Sequence, residues 1–589
     1  MVRAGAKAGL LGGAVLLYAA AVGMLVRLDE LHLVGTQVTL GRVLLVLPPF
    51  VAAFLAVRPR VVGGRVEQPG PPAALAIGAL AGGVTGAVGA GGLALVDAIG
   101  LDRVRSVFVA VSPALVETMT FGRGLGLGAA ILVLGGLGLG AVGGIWRRVR
   151  HGLRRPVEVG LLTVFVLGML QRVVPFMLDE LRIERDWLYS RVTRGLTWVG
   201  AVVVLVVATA AAAYVLDRRE RHGRAPLEEG RPEVRGVRRL VLAGIVVAFF
   251  AALPQLAGSI VSEIMGTVGV FLLLALGLNI VTGYAGMLHL GFSAFFLLGA
   301  YSIALLTGAN LVTAFGLVAP RFSAHLDFYV ALVLVVLIGA AVGALLAAPV
   351  LRLRGDYLAI VTLAFAQIAV ILATSSWLQP ITGGPQGLRD VTKAPLLGIG
   401  FRSAENFYYL VLVACVLAVY VSWRLAWSRT GRAWNAMRED EQVAEAMGVP
   451  TGRYKMLGFA IGGAIGAIGG AMFAVKVGTV QPGSFEIIQS ITILAVVILG
   501  GLGSVPGVVL GALVLLGLPG LLTQLEEYRF LIYGASLVAI MILRPQGLIP
   551  NVRRMRELQE EERTQDAWQQ IFAARQEEEA AEGATEAAS

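Results

Sequence analysis

Five histidines are the residues best suited to metal or acid–base chemistry in this 589-residue chain, and they stand far apart at His32, His151, His222, His289 and His325. No H-E-x-x-H pair sets two imidazoles one helical turn apart, and no G-x-S-x-G elbow presents a nucleophile. The one cysteine, Cys415, lies inside an apolar run, which excludes an internal disulfide framework and a cysteine metal cluster. Glycine is nowhere followed by lysine, so the G-x-x-x-x-G-K-[ST] loop that cradles nucleotide phosphates is absent. The sequence therefore points to no catalytic residue, no metal site and no enzyme. If ATP drives this protein, another chain binds it.

The remaining polar chemistry sits where it is expensive. Asn279, Thr282 and Tyr284 interrupt one apolar run, Gln367 lies inside another, and Thr382, Gly383, Gly384 and Pro385 cap a loop that should face outside. Polar groups in hydrocarbon often mark a translocation pathway. They also serve as interhelical hydrogen bonds, and both readings stand. Gly500, Gly501 and Gly503, just before Pro506, read as a helix break, and Asp356 after Arg354 as an interface pair.

The richest segment is the charged stretch Ser428 to Lys455. Trp434, Met437, Val443, Ala444 and Met447 recur at helical spacing, while Arg432, Arg438, Glu439, Asp440, Glu441 and Glu445 cover the other side. Asp440 is suited to an N-cap, Gly448 to a stop, and Pro450 forbids continuation. The spacing predicts one or two short amphipathic helices outside the membrane, with an apolar stripe for a docking partner; a plain solvated connector is the alternative.

The elements that position these residues follow from composition. The chain is 57% hydrophobic, has a mean hydropathy of +0.80 and contains 76 glycines. A water-soluble globule cannot be that apolar, whereas closely packed membrane helices suit such a glycine content. Apolar runs of about 18–24 residues, long enough to cross a core of ~30 Å, recur along the chain. The fold class is all-α, a polytopic transmembrane bundle with about 16 candidate spans. Six fall at 8–26, 40–57, 73–96, 124–146, 157–178 and 195–216. Ten more fall at 240–258, 262–283, 289–306, 328–350, 357–375, 406–424, 455–475, 487–501, 506–524 and 530–545.

The net charge of +10 resides almost wholly in arginine at the ends of these runs, as the positive-inside rule expects, and does not call for nucleic acid. Five arginines within Arg147–Arg155, and Arg58, Arg60 and Arg65 in an earlier loop, alternate with acidic loops such as Asp179 to Asp186. Arg42 and Arg172 sit near span ends and read as snorkelling side chains. This pattern places the chain in the plasma membrane, in contact with lipid, with both termini cytoplasmic. It divides into an N-terminal bundle (1–216), a basic linker (217–239), a second membrane domain (240–550) and a charged tail (551–589).

GRAWNAMREDEQVAEAMGVP, within Ser428 to Lys455, resembles the coupling loop of the permeases of branched-chain amino acid ABC importers. Three further segments are similar to the same family: Leu274–Leu306, Leu351–Ile368 with Thr382–Leu388, and Gly478–Ala512. The order and spacing match over about residues 240–550, nearest to the M-type subunit. One departure is His289-Leu290-Gly291-Phe292, where the family has a small polar residue before Leu-Gly-His. The resemblance implies a pore shared with a homologous second permease, two cytoplasmic ATPase subunits holding ATP and magnesium, and an extracytoplasmic solute-binding protein. This chain itself would hold no cofactor. The alternative, a self-sufficient secondary transporter, would need ion-coupling acids in mid-span, yet Glu263 and Glu486 lie near span ends. A membrane enzyme or scaffold centred on the first bundle would need polar clusters there. Neither alternative accounts for the charged loop.

Overall fold

Without water to bond to, a backbone must satisfy its own N–H and C=O groups, so apolar runs become helices. The computed structural model describes residues 2–57, 60–62, 65–67, 69–171, 173–180, 182–221, 232–313, 316–318, 320, 322–350, 356–391, 395–396, 399–400, 403–522, 528–544 and 546–550. Among the described residues ten helices are long and apolar enough to cross a membrane. An eleventh span results if Gly152–Met169 and Val173–Asp179, bent by 78°, count as one.

Among the described residues the count of sixteen is not reached. The runs 240–258 and 262–283 fall in one element, Pro232–Leu278, as two helices that meet at Gly258, where the backbone leaves helical geometry (φ 71°, ψ −167°). Leu40–Ala56, Ser293–Thr307, Val505–Leu521 and Arg529–Ile542 are apolar but only 10–17 residues long. At ~1.5 Å rise per residue such helices reach about 15–25 Å, less than a full hydrocarbon core. Hydropathy registers apolar runs; unbroken helical length decides what can span.

The chain divides into two compact units, Met1–Leu240 and Val241–Ser589. Of the basic linker, residues 217–221 complete the helix Trp198–Arg221, and 222–231 lie outside the described residues, as does the tail 551–589. In the first unit, Pro71–Ile99 packs against Gly124–Trp146, with Val2–Ala21 and Leu40–Ala56 against them. Arg42 stands in the first turn of Leu40–Ala56, where Thr39 caps the helix. Its guanidinium donates to the Gln37 carbonyl (2.8 Å), so it reaches the helix end as snorkelling predicts. Arg172 lies outside the described residues.

The second unit is organised around Thr451–Val477, which packs against both Ser293–Thr307 and Phe328–Val350. Phe292, Phe295, Phe296, Phe459 and Phe485 are fully buried there. Phe296 makes edge contacts with Phe473 (centroids 5.0 Å) and Phe485 (4.8 Å), a favoured arrangement of ring quadrupoles. A small antiparallel sheet joins three interhelical connections in the order Thr479–Val480, Leu388–Arg389, Asn310–Thr313, Gly316–Val318. The Asn279–Tyr284 segment that continues Pro232–Leu278 is π-helical, and so is Leu513–Gly517.

Candidate functional site

The loop after Ala404–Ala426 folds as two helices, Arg429–Glu439 and Glu441–Ala446. Ser428 opens the first by accepting from the Gly431 N–H (3.2 Å). Asp440 leaves helical geometry (φ −152°, ψ 114°), and its carboxylate accepts from the N–H groups of Gln442 (2.8 Å) and Val443 (3.0 Å). One residue thus ends one helix and caps the next. Gly448, at φ +86°, turns the chain out of the second in the left-handed region that glycine enters freely.

The apolar residues do not form the single expected stripe. Trp434, Met437 and Ala444 are buried within the unit, and the Trp434 indole donates to the Tyr454 carbonyl (2.8 Å). Val443 and Met447, 58% and 81% exposed, point the other way, among exposed Glu439, Asp440 and Glu445. At about 100° per residue Met437 and Ala444 share the side of Trp434 while Val443 and Met447 fall on the opposite side, so the five never form one stripe. Arg432 is exposed as well. Glu441 faces inward, pairing with Lys455 at 2.6 Å; the two side chains are 24% and 4% exposed. Arg438 also turns inward: its Nη1 donates to the Gly283 carbonyl (2.6 Å).

Gly283 belongs to the π-helical turn that carries Asn279, Thr282 and Tyr284, all buried. Asn279 Oδ1 accepts from the Gly503 N–H (2.8 Å), while Asn279 Nδ2 and Thr282 Oγ1 have no hydrogen-bond partner among the described residues. Gly501 and Gly503, at φ +118° and +79°, form the break expected before Pro506. Gln367 stands on a different element, Asp356–Thr374, half-buried. Thr382, Gly383 and Gly384 build a turn: Thr382 Oγ1 donates to the Ala373 carbonyl (2.8 Å) and accepts from the Gly384 N–H (3.3 Å). Gly383 and Gly384 take φ +77° and +56°. The seven expected pathway residues therefore occupy three places. Of the Arg354–Asp356 pair, Arg354 lies outside the described residues.

His289, where the sequence departs from the family pattern, is 1% exposed among the rings of Phe459 (5.2 Å), Phe292 (5.7 Å) and Phe295 (5.8 Å). Neither ring nitrogen finds a partner among the described residues. Nearby in sequence, Leu290 N donates to Thr362 Oγ1 (3.2 Å) and Ser293 N to Ser490 Oγ (2.9 Å). Single hydroxyls 72 and 197 residues away carry no local pattern by which a sequence could reveal them.

These features define a multi-pass membrane transport subunit: breaks and buried polar groups in a helical core, and a structured loop tied to that core. The family model for the branched-chain amino acid transport system permease component matches residues 260–541. The chain is 39% identical over 307 residues to the high-affinity branched-chain amino acid transport system permease protein LivM of Salmonella typhimurium, covering 48% of this chain and 68% of that protein. Against its Escherichia coli counterpart the identity is 38% with the same coverage. The permease protein LivH of Salmonella typhimurium is 26% identical, over 48% of this chain and 93% of its own length. No solved structure matches. The chain belongs to the branched-chain amino acid ABC transporter permeases and is LivM-like. It is a transport subunit and not an enzyme, of a family whose permeases hold no cofactor of their own.

Proposed function

We propose that this chain moves branched-chain amino acids, or a related small polar solute, as one half of a pore completed by a homologous second permease. Two cytoplasmic ATPases, which hold ATP and magnesium, drive it, and an extracytoplasmic binding protein delivers solute. Residues 240–550 form the permease domain, 1–216 an additional bundle, and both termini lie in the cytoplasm. Alternating access follows when ATPase closure moves the docked loop and, with it, the helices attached to that loop.

The observation that carries this reading is the exposed pair Val443 and Met447, four residues apart in a segment that also exposes Glu439, Asp440 and Glu445, while Trp434, Met437 and Ala444 anchor its other face in the core. An apolar knob inside a charged rim is the anatomy of a protein-docking site. The relatives' names supply the solute class.

The test is purification of the intact complex from native membranes, with radiolabelled leucine uptake in proteoliposomes. Val443→Asp with Met447→Asp should reduce ATPase retention about tenfold, with the melting temperature unchanged because both side chains are exposed. Undiminished retention, or leucine uptake by this chain alone, overturns the docking assignment or the importer reading respectively.

A further inference from the structure

The π-helical turn Asn279–Tyr284 is held from two distant parts of the chain. Arg438 reaches it from the Arg429–Glu439 helix, 155 residues away, and donates to the Gly283 carbonyl at 2.6 Å. Gly503 reaches it from the break that separates Ile487–Gly500 from Val505–Ala512, 224 residues away, and donates to Asn279 Oδ1 at 2.8 Å. A π turn carries one residue more than an α turn needs and shifts the hydrogen-bond ladder there, which makes it a natural place for a helix to change its winding.

The approach on both sides requires glycine. A Cβ on Gly286, which sits at φ +72°, would lie 2.7 Å from Arg438 Cγ. A Cβ on Gly283 would collide with Asn279 Oδ1 and come within 2.6 Å of the Gly503 nitrogen. Gly503 itself takes φ +79°. The bonds at the two ends of the turn thus depend on backbone positions that exclude side chains. The Arg438 end is also stiff. Its helix is fixed by the buried Trp434 and its bond to the Tyr454 carbonyl, so Arg438 moves with the loop and not independently of it.

We infer that Arg438 is a positioning residue that transmits movement of the docking loop to the π turn, and through Asn279 to the Gly501–Gly503 break. This rests on the importer reading above, in which the loop takes its movement from an ATPase. Displacing the loop pulls or releases the Gly283 carbonyl. The turn then rewinds, and the Asn279 amide carries that change to the second helix break. Arg438 touches no solute and hydrolyses nothing; it sets how much transport each ATP yields.

The experiment uses the intact complex in proteoliposomes and reads two rates together, ATP hydrolysis and radiolabelled leucine uptake. Arg438→Ala should leave the complex assembled and hydrolysing ATP, while leucine moved per ATP falls about tenfold, as loss of a charge-assisted hydrogen bond in the linkage would produce. Arg438→Lys, which keeps a cationic donor, should recover part of that ratio. Gly286→Ala should push the guanidinium away and lower the ratio without removing any charge. Asn279→Ala breaks the far end, and the Arg438→Ala/Asn279→Ala double variant should be no worse than either single one, because both interrupt one path. An unchanged ratio in assembled Arg438→Ala complexes overturns the inference, and so does strict additivity in the double variant. Loss of the ATPases from Arg438→Ala and Gly286→Ala alike would make Arg438 a residue of assembly, which also overturns it. Failure of the unaltered chain to retain any ATPase is a different result, because it removes the importer reading itself.

Discussion

The two units both bring helix backbones together at glycine and differ in what interrupts those helices. In the first, Gly78, Gly82 and Gly86 of one helix recur at four-residue spacing, as do Gly136, Gly140 and Gly144 of its neighbour. A Cβ on Gly82 would collide with the Gly136 carbonyl oxygen, and one on Gly140 with that of Gly78. The backbones touch directly, as small residues allow membrane helices to do. Thr85 adds a cross-link, donating to the Gly9 carbonyl at 3.0 Å. In the second unit the same approach recurs, since a Cβ on Gly299, Gly343 or Gly470 would collide with the carbonyl oxygen of Ala467, Phe459 or Phe296, and Gly466 also makes room for the rings of Phe292 and Phe295. Others there mark breaks, at Gly258, Gly501 and Gly503. Backbone contact at glycine is thus common to both, and the difference lies in the π turns Asn279–Tyr284 and Leu513–Gly517, which among the described residues occur in the second unit alone. The comparison teaches that the second unit combines tight glycine seams with places where a helix can rewind, while the first is held by its seams.

Gly82→Val probes the seam of the first unit and should have the largest effect. The obstructing atom is a backbone carbonyl that cannot swing aside, so the cost should reach about 3 kcal/mol or more. The melting temperature of the first unit, followed with a fluorophore placed there, reads it. A near-neutral result would break the contrast between the units.

Glu441→Gln probes the second unit next. It leaves the Lys455 ammonium, with a side chain only 4% exposed, without its charged partner. Removing one member of a buried pair costs about 3 kcal/mol, less whatever relaxation a half-open partner permits. Thermal unfolding should show it, and Glu441→Gln with Lys455→Met should regain most of the loss. No recovery in the double variant would mean that the loop is held chiefly by Trp434.

The smallest effect concerns the exposed pair Asp186 and Arg191 in the first unit, joined at 2.7 and 2.5 Å. The hydrogen bond from Arg191 holds the Asp186 carboxyl below the ordinary value of 3.8. A depressed folded-state value contributes stability above pH 3.8 that is lost as pH falls through it. Asp186→Asn should therefore lower stability slightly at neutral pH, where the pair is intact, and leave it unchanged in acid below the folded-state value, which flattens the acid limb. A loss of equal size at neutral and acid pH would contradict the assignment.

The sequence by itself determined the membrane class, the family and the place of the charged loop, because hydropathy, motif order and helix punctuation are local properties. Asp440 and Gly448 behave as their types require, since capping needs only neighbours two or three residues away. What only the tertiary structure decided has a common cause in long-range geometry. Helix periodicity, counted strictly at about 100° per residue, already sets Val443 and Met447 opposite Trp434 and Met437 and puts Arg438 and Glu441 on the Trp434 side. It could not name the partners of Glu441 and Arg438, since Lys455 and the Gly283 carbonyl reach them only once the chain has folded back. Nor does hydropathy settle a span count: it sums side chains, while crossing a bilayer depends on how long a helix the folded chain keeps. Asn279 was legible as a polar group in an apolar run; its bond to Gly503 was not, because 224 residues of chain lie between them.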